Sequence, residues 1–220
     1  MCSSDLAGPH PAVVLLHTCG GMQAHVSNEW PLYLRGLGYV VLTVDSFGSR
    51  GLGPCGNSLR PATVGPKTAA YREITRDAYG ALDYLAAQPY VRQERVAVVG
   101  FPLGANVINS YLIHMPRPSG PAFAAAVGIY GRCHDIYRFP MPRTPLLEIA
   151  GELDAAHVVH CRALRAPIEV RVLKGAYHSW DNGQASGKTN PYGDVNRYDG
   201  AATAESREHV RAFLARHLAP

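Results

Sequence analysis

Residues 95–105 read RVAVVGFPLGA, and the fold turns on them. The valine-rich run 95–99 predicts a strand buried in a sheet, and the apolar stretch 103–114 predicts a helix directly after it. Between them, Gly100 and Gly104 stand two residues either side of Pro102. Glycines so placed suit a tight turn and a helix packed close to its strand. Working outward, residues 12–16 (AVVLL), 39–44 (YVVLTV), 123–129, 145–149 and 168–173 read as further strands. Helices are predicted over 30–37, 68–87, 158–164 and 202–218. The helix over 68–87 is the clearest: Ala70, Ile74, Ala78, Leu82 and Leu85 recur at three- and four-residue steps, giving one apolar stripe. Residues 48–66 and 182–197, rich in glycine and polar residues, read as loops. Strands alternating with helices imply an α/β fold, a mostly parallel, doubly wound sheet with helices on both faces. Residues 1–11 read as an N-terminal segment and 12–220 as a single domain.

Composition narrows the function classes. With 220 residues, 47% hydrophobic and 17% charged, the chain has the make-up of a soluble globular domain. The net charge of +4 comes without a run of like charges, which argues against nucleic acid as a partner. No apolar run reaches the length of a membrane span, and residues 1–11 lack the apolar core of a signal peptide. A first strand so near the start suggests a mature form, a fragment, or a chain with its front removed. The five cysteines, Cys2, Cys19, Cys55, Cys133 and Cys161, form no C-x-x-C pair, a poor basis for a zinc or thioredoxin-like site. Their odd number leaves room for one or two disulfides of unassigned pairing and leaves the compartment open.

In parallel sheets, ligands sit beyond the carboxyl ends of the strands. After the first strand comes His17-Thr18-Cys19-Gly20-Gly21, a turn that can aim a backbone N–H at a site, or simply a glycine-rich turn. The turn at 100–104 matches the nucleophile pattern G-x-S-x-G except at its centre, Pro102. After the strand at 145–149 comes Gly151-Glu152-Leu153-Asp154, an acid that can orient a histidine or cap a helix. After 168–173 comes Gly175-Ala176-Tyr177-His178-Ser179-Trp180, where His178 is either a general base or a surface histidine. Taken together, elbow, acid and histidine follow in chain order, each just past a strand, which coincidence explains poorly. Tyr177 and Trp180 can line an apolar pocket or pack the loop. Arg132 and His134, just past the strand ending near Tyr130, face the same rim; there they can hold a substrate carboxylate or serve as surface charge.

On these residues the chain resembles the dienelactone hydrolase family of the α/β-hydrolases. The resemblance rests on PAVVLLHTCGG (11–21), GYVVLTVDSFG (38–48), GFPLGA (100–105), GELD (151–154) and GAYHSWD (175–181). It implies hydrolysis of a small-molecule ester or lactone by a Cys or Ser nucleophile with an Asp and a His, without cofactor or metal. Carried over, Asp154 is the triad acid and His178 the base. The Leu103 N–H and the Thr18–Cys19 turn are then the oxyanion donors, and Arg132, Tyr177 and Trp180 contact substrate. Relatives usually carry strands ahead of 12–16, so the sheet edge is expected to be incomplete.

Pro102 departs from this pattern. It has no hydroxyl or thiol for a base to deprotonate. Its ring fixes φ near −65°, whereas the central residue of a strained elbow is expected at positive φ. Phe101 is pushed toward extended backbone, and the Leu103 N–H is expected to turn away from an oxyanion. Three accounts stay open: an altered esterase, since Ser and Pro codons differ by one base; a natural pseudo-hydrolase that binds a ligand or partner; or attack by another side chain, with Cys19 the first candidate and Ser179 a poorer one.

Overall fold

The period-two alternation of β1 (His10–Leu16) sorts its side chains between two cores. Val13 and Leu15 join Trp30, Leu34, Phe213 and Leu214, whereas Ala12, Val14 and Leu16 join Leu82, Leu85 and Val107. A strand apolar on both faces demands helices on both, and the chain supplies them. In the computed structural model, which describes residues 8–54, 64–114, 117, 119–138, 142–190 and 193–219, β1 is followed by α1 (Trp30–Gly36), β2 (Val40–Val44), α2 (Val64–Ala86), β3 (Val91–Gly100) and α3 (Pro102–Val107). Then come β4 (Ala125–Ile129), β5 (Leu146–Gly151), α4 (Ala155–Ala163), β6 (Glu169–Leu173) and α5 (Gly200–Leu218). The six strands pair in the order β2-β1-β3-β4-β5-β6, every pair parallel. Helices α1 and α5 cover one face, and α2, α3 and α4 the other.

The elements predicted from sequence are present, with shifted ends. The stripe of α2 is buried at Ile74, Ala78, Leu82 and Leu85. β2 was expected to be buried, yet all five residues are only half covered because it forms an edge of the described sheet. The helix expected over 103–114 is α3 followed by a wider turn over Ile108–Leu112, in which the Ile113 N–H reaches back to the Ile108 carbonyl. A similar turn, His25–Glu29, leads into α1. It lacks the apolar periodicity that would have marked it. Cys133 and Cys161 form a disulfide that ties the turn Cys133–Arg138, after β4, to α4, and Cys19 is also disulfide-bonded. Cys2 and Cys55 lie outside the described residues.

The elbow glycines have a packing reason. A Cβ on Gly104 would sit 2.6 Å from the Leu16 carbonyl oxygen, and one on Gly100 would collide with the Gly104 backbone. The start of α3 is pressed onto the ends of β1 and β3. Deeper in the sheet, Glu148 on β5 is fully buried, with one carboxyl oxygen 3.5 Å from Cys133 Sγ. Burial pushes its pKa up to about 8, the Asn109 amide opposing this in part.

Two outcomes are expected. Gly104→Ala forces backbone apart and should destabilise the fold by about 1–3 kcal/mol, read as a lower urea midpoint. Glu148 keeps its proton in the fold while an unfolded Glu148 loses it near 4.5. Its contribution is therefore complete below that pH and falls as pH rises through about 8. Glu148→Gln should gain stability over the parent between about pH 5 and about pH 8, on the order of a few kcal/mol. A constant difference between the two proteins across that range would mean that the buried carboxyl is not held protonated.

Candidate active site

All strands point the same way, so the segments after β1, β3, β4, β5 and β6 meet at one edge. After β3, Phe101 is extended (φ −97°, ψ 169°) and Pro102 is the first residue of α3. A proline fits that position well, since its fixed φ is helical and the missing N–H has no helical partner to lose. The non-glycine residues at positive φ, among those described, are Tyr130 and Ser179. The turn at 102 is thus a plain helix start rather than a strained corner.

After β5, Asp154 occupies the N-cap position of α4, but its side chain does not cap the helix. It turns instead to His178, whose Nδ1 donates to Asp154 Oδ2 at 2.7 Å. A carboxylate only accepts, so Nδ1 carries the proton and Nε2 is left as an acceptor. Both residues are buried, at 3% and 4% exposure. The loops that carry them are joined by backbone: the Leu153 N–H donates to the Ala176 carbonyl (2.9 Å), and a Cβ on Gly151 would strike that carbonyl.

His178 is held by ring contacts as well. The ring of Tyr130 lies 5.0 Å from its imidazole, edge-on, and 4.7 Å from Trp180. The Tyr130 hydroxyl and the Trp30 indole N–H each donate to the fully buried Asp181 carboxylate at 2.7 Å. Burial, reinforced by Asp181, pushes the Tyr130 phenol well above its usual range and keeps it a donor. Tyr130 (φ 43°) and Ser179 (φ 52°) adopt left-handed backbone on either side of this cluster. Such strain costs about 1–2 kcal/mol per residue and persists where packing fixes it.

The β1 turn is built by its own side chains. The Ser46 N–H donates to His17 Nε2 (3.1 Å), so the His17 Nδ1 proton goes to the Thr18 carbonyl (2.7 Å). Burial lowers the His17 pKa, which favours this neutral form. The Thr18 hydroxyl donates to Gln23 Oε1 and accepts from the Gly20 N–H, each at 2.9 Å.

These segments enclose a cavity of about 320 Å³. Thr18, Cys19, Pro102, Leu103, Arg132 and His178 all line it. Asp154 lies behind His178, off the cavity wall. Tyr177 and Trp180 do not line it either. Trp180 is fully buried with its N–H on Ser206, and the half-buried Tyr177 lies under Arg197. Cys19 reaches the cavity, but its sulfur is tied in a disulfide and cannot attack as a thiolate. His134 contacts Asp135 and His160, away from the cavity.

Sequence reasoning missed His157 and Asp194, both on the cavity wall, with His157 Nε2 3.5 Å from Asp194 Oδ2. Burial works against charge on His157, but Asp194 and Asp154 outweigh it and raise its pKa. The Asp194 carboxyl is held well below the usual range by that hydrogen bond. The spacing Asp154-x-x-His157 at a helix start was the available signal. Asp181 carried none beyond its place in the HSWD run.

No curated protein matches the chain significantly. Among solved structures, it is similar to a dienelactone hydrolase-like promiscuous phosphotriesterase from metagenomic libraries, at 22% identity and a TM-score of 0.69, covering 97% of this chain and 89% of that one. It is also similar to esterase PE8, at 16% identity and a TM-score of 0.62, over 96% and 94% of the two chains. A propionate-bound esterase of the planctomycete Thermogutta terrifontis aligns at 16% identity and a TM-score of 0.61, over 99% and 88%. At these identities the likeness is one of fold, that of the α/β-hydrolases. The family model for dienelactone hydrolases matches residues 1–218, nearly the whole sequence, and the chain therefore belongs to the dienelactone hydrolase family.

Proposed function

We propose that this chain is a carboxylic ester or lactone hydrolase scaffold whose acid and base remain but whose attack step is removed at Pro102. The observation that carries the reading is the 2.7 Å bond from His178 Nδ1 to Asp154, with His178 and Pro102 lining one cavity. With its Nδ1 proton committed to Asp154, the imidazole has Nε2 to take a proton from an attacking group. Pro102 has none to give, so no acyl-enzyme forms by the usual route. The cavity, about 320 Å³, suits a small ester or lactone. Thr18, Cys19, Leu103 and Arg132 line the same cavity, which supports backbone N–H groups of the first three as donors to the acyl oxygen and Arg132 as the partner of a substrate carboxylate. The second reading, a natural pseudo-hydrolase that binds a ligand without turning it over, is favoured by the unstrained turn at 102. That turn shows none of the stored strain an active elbow keeps.

Pro102→Ser and Pro102→Cys, assayed with p-nitrophenyl acetate, test the proposal. The parent should release no stoichiometric burst of nitrophenol. A burst in either variant, with turnover raised by about 10³-fold or more, marks a disabled esterase. Folded variants without a burst, but still binding a small ester or lactone in the cavity, mark the pseudo-hydrolase. A burst from the parent itself, or variants that fold yet neither burst nor bind, would sink the proposal.

A further inference from the structure

The ester reading leaves His157, on the cavity wall beside the acid and histidine, unused. His157 stands three residues after Asp154, so both project from the same side of the start of α4. Its ring lies 5.5 Å from that of His178. Asp154, His157 and His178 each offer a ligand atom, and these atoms all lie within 4.8 Å of one another. Asp194 Oδ2 lies 3.5 Å from His157 Nε2 and helps to hold that ring in place. Imidazoles combined with carboxylate oxygens form a donor set that first-row divalent ions favour, Zn²⁺ among them. In a hydrolase with a serine at the elbow, the dyad is committed to that serine; beside Pro102 it is not.

We propose that Asp154, His157 and His178 form a binding site for a divalent transition-metal ion such as Zn²⁺. The ion takes the place of the proton shared between Asp154 and His178, so metal and proton compete for the same atoms. Binding also requires His157 in its neutral form. Metal uptake therefore releases protons, and affinity rises with pH through the neutral range. The three ligands come from the start of α4 and the loop after β6, which the sheet already holds together, so little ordering is left for the metal to drive.

The test is titration of the full chain, stripped with chelator and dialysed, with ZnCl₂ against a chromophoric competitor at about pH 6 and about pH 8. One equivalent should bind with micromolar affinity or tighter at the higher pH, and less tightly at the lower. His157→Gln and His178→Gln should each weaken binding by about tenfold or more. His209→Gln, on the outer side of α5, should leave it unchanged and so reports adventitious histidine binding. Co²⁺ added to the parent chain should give visible d–d bands of a low-coordinate site, a readout that does not depend on any variant folding. No bands, or Zn²⁺ binding that both cavity variants keep at full strength, would overturn the site. The titration is read without any ester substrate, so it stands or falls apart from the burst assay of Pro102→Ser.

Discussion

The parallel direction of the strands is the constraint on which the rest depends. Parallel neighbours need crossover connections, and these put every strand's carboxyl end on one edge of the sheet. Positions 18, 102, 132, 154 and 178 are distant in sequence, yet each follows a strand and so reaches the same edge. The order β1-β3-β4-β5-β6 then lines up the segments after these strands in a single row. The register is secured by apolar side chains on both faces. A one-residue slip of β1 would exchange Val13 and Leu15 with Val14 and Leu16 between two cores of different shape.

Within that frame, the acid–histidine pair and the turn at 102 answer to different forces. His178 is held by its hydrogen bond to Asp154 and by the ring of Tyr130, which in turn packs on Trp180 and, with Trp30, is bonded to the buried Asp181. None of these contacts depends on what stands at 102. The turn there is shaped by backbone stereochemistry and by close packing of Gly104 on Leu16. A proline at the first position of α3 is locally comfortable, where a nucleophile at positive φ would be strained. The Asp154–His178 pair is therefore held independently of residue 102, which carries no hydroxyl or thiol.

Much of this was legible in particular residues. The valine runs, the stripe of α2, the glycines at 100 and 104, and the acid and histidine just past their strands all carried local signals that the fold keeps. The substrate-facing assignment of Trp180 and Tyr177 did not follow, because an aromatic residue beside a loop histidine has the same sequence signature whether it faces inward or outward. Trp180 faces the core, packed on Tyr130 and bonded to Ser206. Cys19 stood out as a thiol, yet it is oxidised, and disulfide pairing is a matter of spatial approach that spacing does not encode. His157 and Asp194 are 37 positions apart, on a helix and a loop, and only the fold makes them neighbours.

By itself the sequence determined the α/β layering, the ends of strands where chemistry gathers, and the absence of a hydroxyl or thiol at 102. Those properties are local: they follow from side-chain periodicity, from glycine and proline stereochemistry, and from the atoms a residue carries. The tertiary structure alone decided that Asp154 turns away from its helix to meet His178, that Trp180 supports rather than lines the site, and that His157 and Asp194 share the cavity wall. Those are distances across space, set by how several strands and loops pack at once, and no single stretch of chain contains them.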